Sequence, residues 1–447
     1  MTCSSIEEKV LRAVRPAPRD ERLLRRVIGS LERGLKRAIR EEGIDAIPML
    51  VGSIAKDTHL RDTDIDLFIL FPTETSREDL ERQGLRIARA VMDGEERYAE
   101  HPYLHGRVEG YDVDIVPSYH ISSPAERISA VDRTPFHTAY IREHLSGAQR
   151  DEVRLLKQFM KGVGVYGAEA KIQGFSGYLV ELLVLRYGDL RAVLKAAQGW
   201  RREERIVLAP STTKFDDPLI VIDPVDARRN AASAVSEQRM AEFVQAAHDY
   251  LSRPNIKFFF PKARKALSKK AIVEMMRERG TRLAALSFPA PNLTEDMLWP
   301  QARKCERRLA VLLERYGFRV LSSALLIEEE VGIVFEMVED RLPRALRHTG
   351  PYAWSVQSQR FVQKWRASPR ALSPPFLEEG RWLVYLYRKH RTPKAVLSTQ
   401  SAALDLGKNL NRLIKEKGKV LSHSQLLAGG YERLLSALLD KRLPWEV

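Results

Sequence analysis

Apolar positions recur every three to four residues in ERLLRRVIGSLERGLKRAIREEG, where Leu23, Leu24, Val27, Leu31, Leu35 and Ile39 share one face. That spacing predicts an amphipathic helix with a basic outer face. A shorter helix precedes it, interrupted at Pro16 and Pro18. The period then falls to two. PMLVGS reads as a strand, IAKDTHLRDT as a loop and DIDLFILF as a second strand. A helix over about residues 77 to 93 leads to further strands near 107 to 110 and 112 to 117, the latter reading DVDIVP.

From Asp151 the pattern turns helical, in DEVRLLKQFMKGVG and then GFSGYLVELLVLRYG. A loop over 203 to 224 ends in FDDPLIVIDPVD, and RRNAASAVSEQRMAEFVQAAHDYL opens a long helix with Asn230 near its start, so the central region reads as all-helical. Beyond Phe260 strands return in LAALSFPAP and the alternating VLSSALLIEEEVGIVFEMV, around the helix WPQARKCERRLAVLLERYG. A last α/β portion contains RWLVYLYRKHR and ends in helices. The reading is an α+β multidomain chain divided at 1–143, 144–260 and 261–447.

A length of 447 residues exceeds what one core serves, in agreement with several domains. Hydrophobic content of 44% beside 30% charged residues describes a globular chain and excludes a disordered one. The charge balance adds more: 73 Lys and Arg against 59 Asp and Glu give +14, which points to a polyanionic partner, nucleic acid being the commonest. Cys3 and Cys305 stand far apart and support neither a disulfide framework nor a zinc site, which fits a reducing, cytoplasmic setting. The start MTCSSIEEKVLRAV contains acids where a secretory signal would be basic and apolar, and no apolar run approaches the roughly 20 residues of a membrane span.

Within VGSIAKDTHLRDTDIDLFILFP the strand alternation puts Asp64 and Asp66 on one face and Ile65, Leu67, Ile69 and Phe71 on the other. Two carboxylates so placed need a cation or a proton. In YDVDIVP, Asp112 and Asp114 share a face in the same way. A hard ion such as magnesium takes carboxylate oxygens and shares its sphere with substrate phosphates, so Asp64, Asp66 and Asp114 form a candidate site for two metal ions. Upstream, Gly52 lets backbone approach a phosphate, while the Ser53 hydroxyl and the Lys56 ammonium are suited to a triphosphate. A single DxD also occurs in glycosyltransferases and on solvated strand faces; the ordered set of GS, DID and DVD is what points to nucleotide chemistry.

The stretches GSIAKDTHLRDTDIDLFILFP and YDVDIVPSY resemble the DNA polymerase β-type nucleotidyltransferase superfamily. AVDRTPFHTAYI, LLKQFMKGVGVYG, GFSGYLVELLVLRYG and DPVDARRNAASAVS are similar, more narrowly, to the archaeal, class I CCA-adding enzymes. The resemblance implies a polymerase β-like catalytic head, a helical central domain, and a C-terminal body and tail that grip the acceptor stem and T-arm of tRNA. It implies Asp64, Asp66 and Asp114 as metal ligands, although the first is commonly glutamate. Gly52, Ser53 and Lys56 would form the nucleotide-binding turn, where arginine often replaces the lysine and supplies a fork of donors. His137 would contact the nucleotide, and Lys157 and Tyr166 would hold its triphosphate.

Arg229 carries a separate argument. Cytosine offers acceptors at O2 and N3 and adenine at N1, whereas uracil and guanine present N–H donors on that edge, so a fixed guanidinium suits the first pair. The expected activity is template-independent addition of C, C and A to tRNA from CTP and ATP with release of pyrophosphate, aided by two Mg2+ ions. KFFFPKARKALSKKAIVEMMRERGTR and HTGPYAWSVQSQRFVQKWR interleave aromatic and basic residues, a composition suited to RNA. The family also implies a homodimer. A poly(A) polymerase-like transferase and an inactive RNA-binding relative remain the alternatives.

Overall fold

The computed structural model describes residues 5–98, 101–401 and 404–447; Cys3 lies outside them. The chain forms two units, Met1–Ala263 with Leu443–Val447, and Arg264–Arg442. The head and central regions expected from the sequence both belong to the first unit.

In that unit helices α1 (Ser5–Val14) and α2 (Pro18–Glu41) come first. α2 starts on Pro18, whose fixed φ suits a first turn, and buries Leu24, Val27, Leu31 and Leu35. A five-stranded sheet follows, ordered β1-β2-β5-β4-β3, from β1 (Ile47–Leu50), β2 (Ile65–Phe71), β3 (Gly94–Tyr98), β4 (Pro102–Val108) and β5 (Tyr111–Tyr119). Within this sheet, among the described residues, only β2 and β5 pair in parallel; their register sets Asp66 opposite Asp114. Ile65, Leu67, Ile69 and Phe71 are wholly buried beneath α2 and helix α4 (Arg77–Arg89), each such side chain contributing about 1.5–3 kcal/mol. The strand face that is apolar in sequence is thus the core face.

Three local expectations need correction. Gly52 and Ser53 do not end the strand; they open a single helical turn, α3 (Gly52–Ala55). Helix α4 stops at Arg89, short of residue 93, because β3 begins at Gly94. The strand expected near 107 to 110 is the end of β4, which turns through Glu109 and Gly110, both at positive φ.

The central region contains α5 (Thr134–His144), α6 (Gly147–Val163), α7 (Gly177–Tyr187), α8 (Leu190–Ala197) and α9 (Glu237–Ser252). It is not all-helical: β6 (Glu204–Ile206) and β7 (Leu219–Val221) pair in parallel. Nor does Asn230 start a helix. Its amide oxygen accepts from the Val221 and Ala232 N–H groups and its amide donates to the Leu219 carbonyl, each at 2.8 or 2.9 Å, so it substitutes for backbone in a turn. Ser236 caps α9 instead. Trp445 returns to this core, stacking on Phe258 and donating to Asp249 at 2.9 Å.

The second unit begins with α10 (Lys269–Arg279) and a sheet ordered β14-β8-β10-β9, formed by β8 (Arg282–Pro289), β9 (Val320–Ile327), β10 (Glu330–Met337) and β14 (Lys419–Ser422), with α11 (Glu295–Arg315) packed on it. Cys305 is buried in α11, and burial pushes its thiol up to about 12. A second sheet, β11-β13-β12, joins β11 (Ala345–Tyr352), β12 (Phe376–Glu378) and β13 (Arg381–Tyr387), with α12 (Ser358–Arg366) against it. Helices α13 (Pro393–Gln400), α14 (Leu410–Lys417), α15 (His423–Ala428) and α16 (Glu432–Leu439) complete the unit. Among the described residues no helix is long and apolar enough to cross a membrane.

Candidate active site

Gly52 adopts a φ of 72°, and a Cβ placed there would come within 2.0 Å of the Asp66 carboxylate, so any side chain would strain the backbone and force the carboxylate or the turn to move. The Val51 N–H donates to the Asp66 carbonyl at 3.0 Å, fixing the turn to the strand. Ser53 faces Thr63 across a 3.3 Å hydroxyl contact. One cleft is lined by Gly52, Ser53, Lys56, Asp64, Asp66, Lys157 and Tyr166.

Asp64 precedes β2, while Asp66 and Asp114 sit side by side on the paired strands. Burial, then the neighbouring charges of Asp114 and Asp64, raise the Asp66 carboxyl to about 7. Burial and the charges of Asp112 and Asp114 raise Asp64 as well. His105, opposite Asp114 on β4, lies 2.6 Å from it through Nδ1.

The far wall comes from α6 and α7. Glu181, wholly buried in α7, accepts from Lys56 Nζ at 2.5 Å and from the Thr58 hydroxyl at 2.5 Å, with Lys157 Nζ at 3.4 Å. Lys157 also donates to the Thr58 carbonyl at 3.0 Å. Burial pulls its ammonium down to about 8 against the attraction of Glu181. Burial alone would raise the Glu181 carboxyl; Lys56 and Lys157 outweigh it and hold the group below its ordinary value. Tyr166 places its hydroxyl beside Gly177, where an added Cβ would come within 3.1 Å, and burial raises its phenol.

His137 and Arg229 do not line that cleft. They meet at Asp223, whose carboxylate accepts from His137 Nε2 at 3.0 Å, Arg229 Nη1 at 2.9 Å and the Tyr178 hydroxyl at 2.9 Å. Burial would raise Asp223, but His137, the Val225 N–H and Arg229 hold it well below the usual carboxylate range. The His137 ring stacks on Tyr178 at 4.0 Å, and burial lowers its imidazole despite Asp223. Tyr178 also borders the acidic cleft, so the two groups of residues are joined through it.

Three family profiles match in chain order: "Nucleotidyltransferase domain" over residues 30–137, "tRNA nucleotidyltransferase, second domain" over 151–260, and "CCA-adding enzyme, C-terminal domain" over 279–423. Among curated proteins the chain is 37% identical over 424 residues to a CCA-adding enzyme of Methanosarcina barkeri, covering 93% of each chain. It is 38% identical over 431 residues to one of Archaeoglobus fulgidus, covering 95% of this chain and 96% of that one. The chain belongs to the archaeal CCA-adding enzymes. Its head carries the nucleotidyltransferase domain of that family, built on the five-stranded sheet.

In this CCA-adding enzyme, sequence reading passed over Glu181, Asp223, Tyr178 and His105. Two left a signal: Glu181 is the one acid in the apolar run GYLVELLVL, and Asp223 follows the buried LIVI. Among the described residues no three His, Cys, Asp or Glu side chains form a ready-made metal cage. The acidic cleft nevertheless fits a divalent ion whose sphere a triphosphate completes. Its donors are hard carboxylate oxygens; burial and then mutual repulsion raise Asp64 and Asp66, and the repulsion is what a cation would relieve.

Proposed function

We propose that Asp64, Asp66 and Asp114 are the catalytic carboxylates of the CCA addition this enzyme performs, and that they hold two Mg2+ ions. The enzyme adds C, C and A to the 3′ end of tRNA from CTP and ATP, releasing pyrophosphate at each step. The observation that carries the site assignment is the cleft in which Asp64 and Asp66 face Lys56, Lys157 and Tyr166.

Bound magnesium would polarise the α-phosphate and balance charge on the attacking and leaving oxygens. The protein's own groups position the reactants. Gly52 and Ser53 seat the triphosphate, with Lys157 and Tyr166 beside it. Lys56 acts from its pair with Glu181, so part of its donor capacity is already engaged. His137 contacts the nucleotide, and Arg229, tethered to Asp223, directs its remaining donors at the acceptor edge of cytosine or adenine. The tRNA 3′-hydroxyl attacks the α-phosphate, and most of the acceleration comes from alignment and charge stabilisation. Residues 261–447 grip the acceptor stem and T-arm, the enzyme works in the cytoplasm, and it assembles as a homodimer.

The test is extension of a tRNA transcript lacking CCA, with magnesium and each nucleotide alone or together, beside Asp114→Ala. Addition of C, C and A followed by arrest, abolished by the substitution, is the expected result. A long A tail would identify a poly(A) polymerase, and tight tRNA binding without extension an inactive RNA-binding relative.

A further inference from the structure

We propose that Asp223 is a specificity-determining positioning residue: it locks the Arg229 guanidinium and the His137 imidazole into one orientation, and the choice of C and A over U and G depends on that lock. The proposal rests on the reading that Arg229 faces the base.

Asp223 lies just beyond β7 and is completely shielded from solvent. Each carboxylate oxygen accepts two bonds. Oδ2 takes His137 Nε2 at 3.0 Å and Arg229 Nη1 at 2.9 Å; Oδ1 takes the Tyr178 hydroxyl and the Val225 N–H, both at 2.9 Å. Four donors use the carboxylate's full accepting capacity. They come from α5, from α7 and from the turn 223–229, which the Asp223 N–H closes on the Arg229 carbonyl at 3.2 Å. Three separate pieces of chain are therefore referenced to one buried anion.

A guanidinium discriminates between bases only if it cannot rotate. A free one could offer donors to the carbonyl oxygens of uracil or guanine as readily as to the ring nitrogen of cytosine or adenine. With Nη1 held by Asp223, the plane of Arg229 is set before a nucleotide arrives. His137 is fixed by the same oxygen: its Nε2 carries the proton it donates, its ring is pinned on Tyr178 at 4.0 Å, and Nδ1 is left as an acceptor. The donor and the acceptor are thus aligned by a residue that is itself buried away from the substrate.

The measurement is single-turnover incorporation of CTP, ATP, UTP and GTP by the full-length enzyme on tRNA lacking CCA and on tRNA ending in CC. Wild type, Asp223→Asn, Asp223→Glu and Arg229→Ala are compared, with melting temperatures recorded alongside. The expected result is that Asp223→Asn, whose amide has one acceptor oxygen and sets N–H groups against N–H groups, lowers the preference for C and A over U and G at least tenfold. Asp223→Glu keeps the charge but shifts it by one methylene, and is expected to lower the same ratio several-fold, which carries the test if the asparagine variant does not fold. Uniform slowing of all four nucleotides by whichever variants fold, with the ratio intact, would overturn the proposal and leave Asp223 a purely structural anchor. If Arg229→Ala keeps the ratio, the base-reading role of Arg229 fails first; if Arg229→Ala loses it and the Asp223 variants keep it, only the present inference fails.

Discussion

Lys56 Nζ stands 2.5 Å from Glu181 Oε2, a buried ion pair that joins the turn after β1 to the middle of α7. A second lysine, Lys157, approaches the other carboxylate oxygen at 3.4 Å, so one anion restrains two cations at the cleft. Removing that anion would leave both ammonium groups buried and uncompensated. Glu181→Ala should cost about 3–5 kcal/mol of unfolding free energy, read by urea denaturation, whereas replacing Lys56 and Glu181 together by Met and Leu should recover much of it.

Asp66 makes stability depend on pH in the direction opposite to an ordinary surface acid. Its carboxyl is held at about 7 in the folded chain and returns to 3.8 on unfolding. Between those values the folded state keeps a proton that the unfolded state has lost. The contribution is therefore complete below about pH 4 and declines as pH rises towards about 7. Asp64, raised in the same sense, adds to the decline. Melting temperatures without metal should fall across that window, magnesium should flatten the fall, and Asp66→Asn should remove most of it.

Gly52→Ala tests the closeness of turn and strand. The new methyl group would collide with the Asp66 carboxylate, and the backbone would be held at a φ of 72° that L-residues resist. Either the carboxylate or the turn must move. A displacement of about 1 Å at a reacting centre is enough for a loss of about 10²-fold, so kcat should fall by that order while tRNA binding, followed by filter retention, stays near wild type.

Trp354 is 77% exposed and stacked on Tyr352 at 5.0 Å, with the Arg381 guanidinium 3.8 Å from the Tyr352 ring. A side chain so exposed adds little to the core, but its ring is free to stack on a nucleobase. Trp354→Ala should leave the melting temperature unchanged and weaken tRNA binding by about 1–3 kcal/mol, measured by anisotropy at one fixed salt concentration.

The sequence announces those parts of the site that local periodicity controls. Asp64 and Asp66 could be placed on one face because strand side chains alternate, and the core face of β2 followed from the same count. That Asp114 would lie directly opposite Asp66 was not legible, since β3 and β4 intervene before β5 folds back in parallel. Glu181 and Asp223 escaped notice for a related reason. A buried carboxylate is defined by the cations delivered to it, and Lys56 reaches Glu181 from 125 positions away. Asn230 misled because helix-forming residues follow it, while its side chain competes for backbone partners and postpones the helix to Glu237.

Trp445 meets Asp249 across 196 positions, so the second unit is written as an insertion within the first. On a ribosome this fixes an order of completion. The core of the central helices cannot receive Trp445 until the whole stretch proposed to grip RNA has been synthesised. A chain that stops inside the insertion leaves Phe258 stacked on Phe159 but without Trp445, the second ring stacked on it. The unit proposed to handle the nucleotide and the unit proposed to grip RNA therefore mature together.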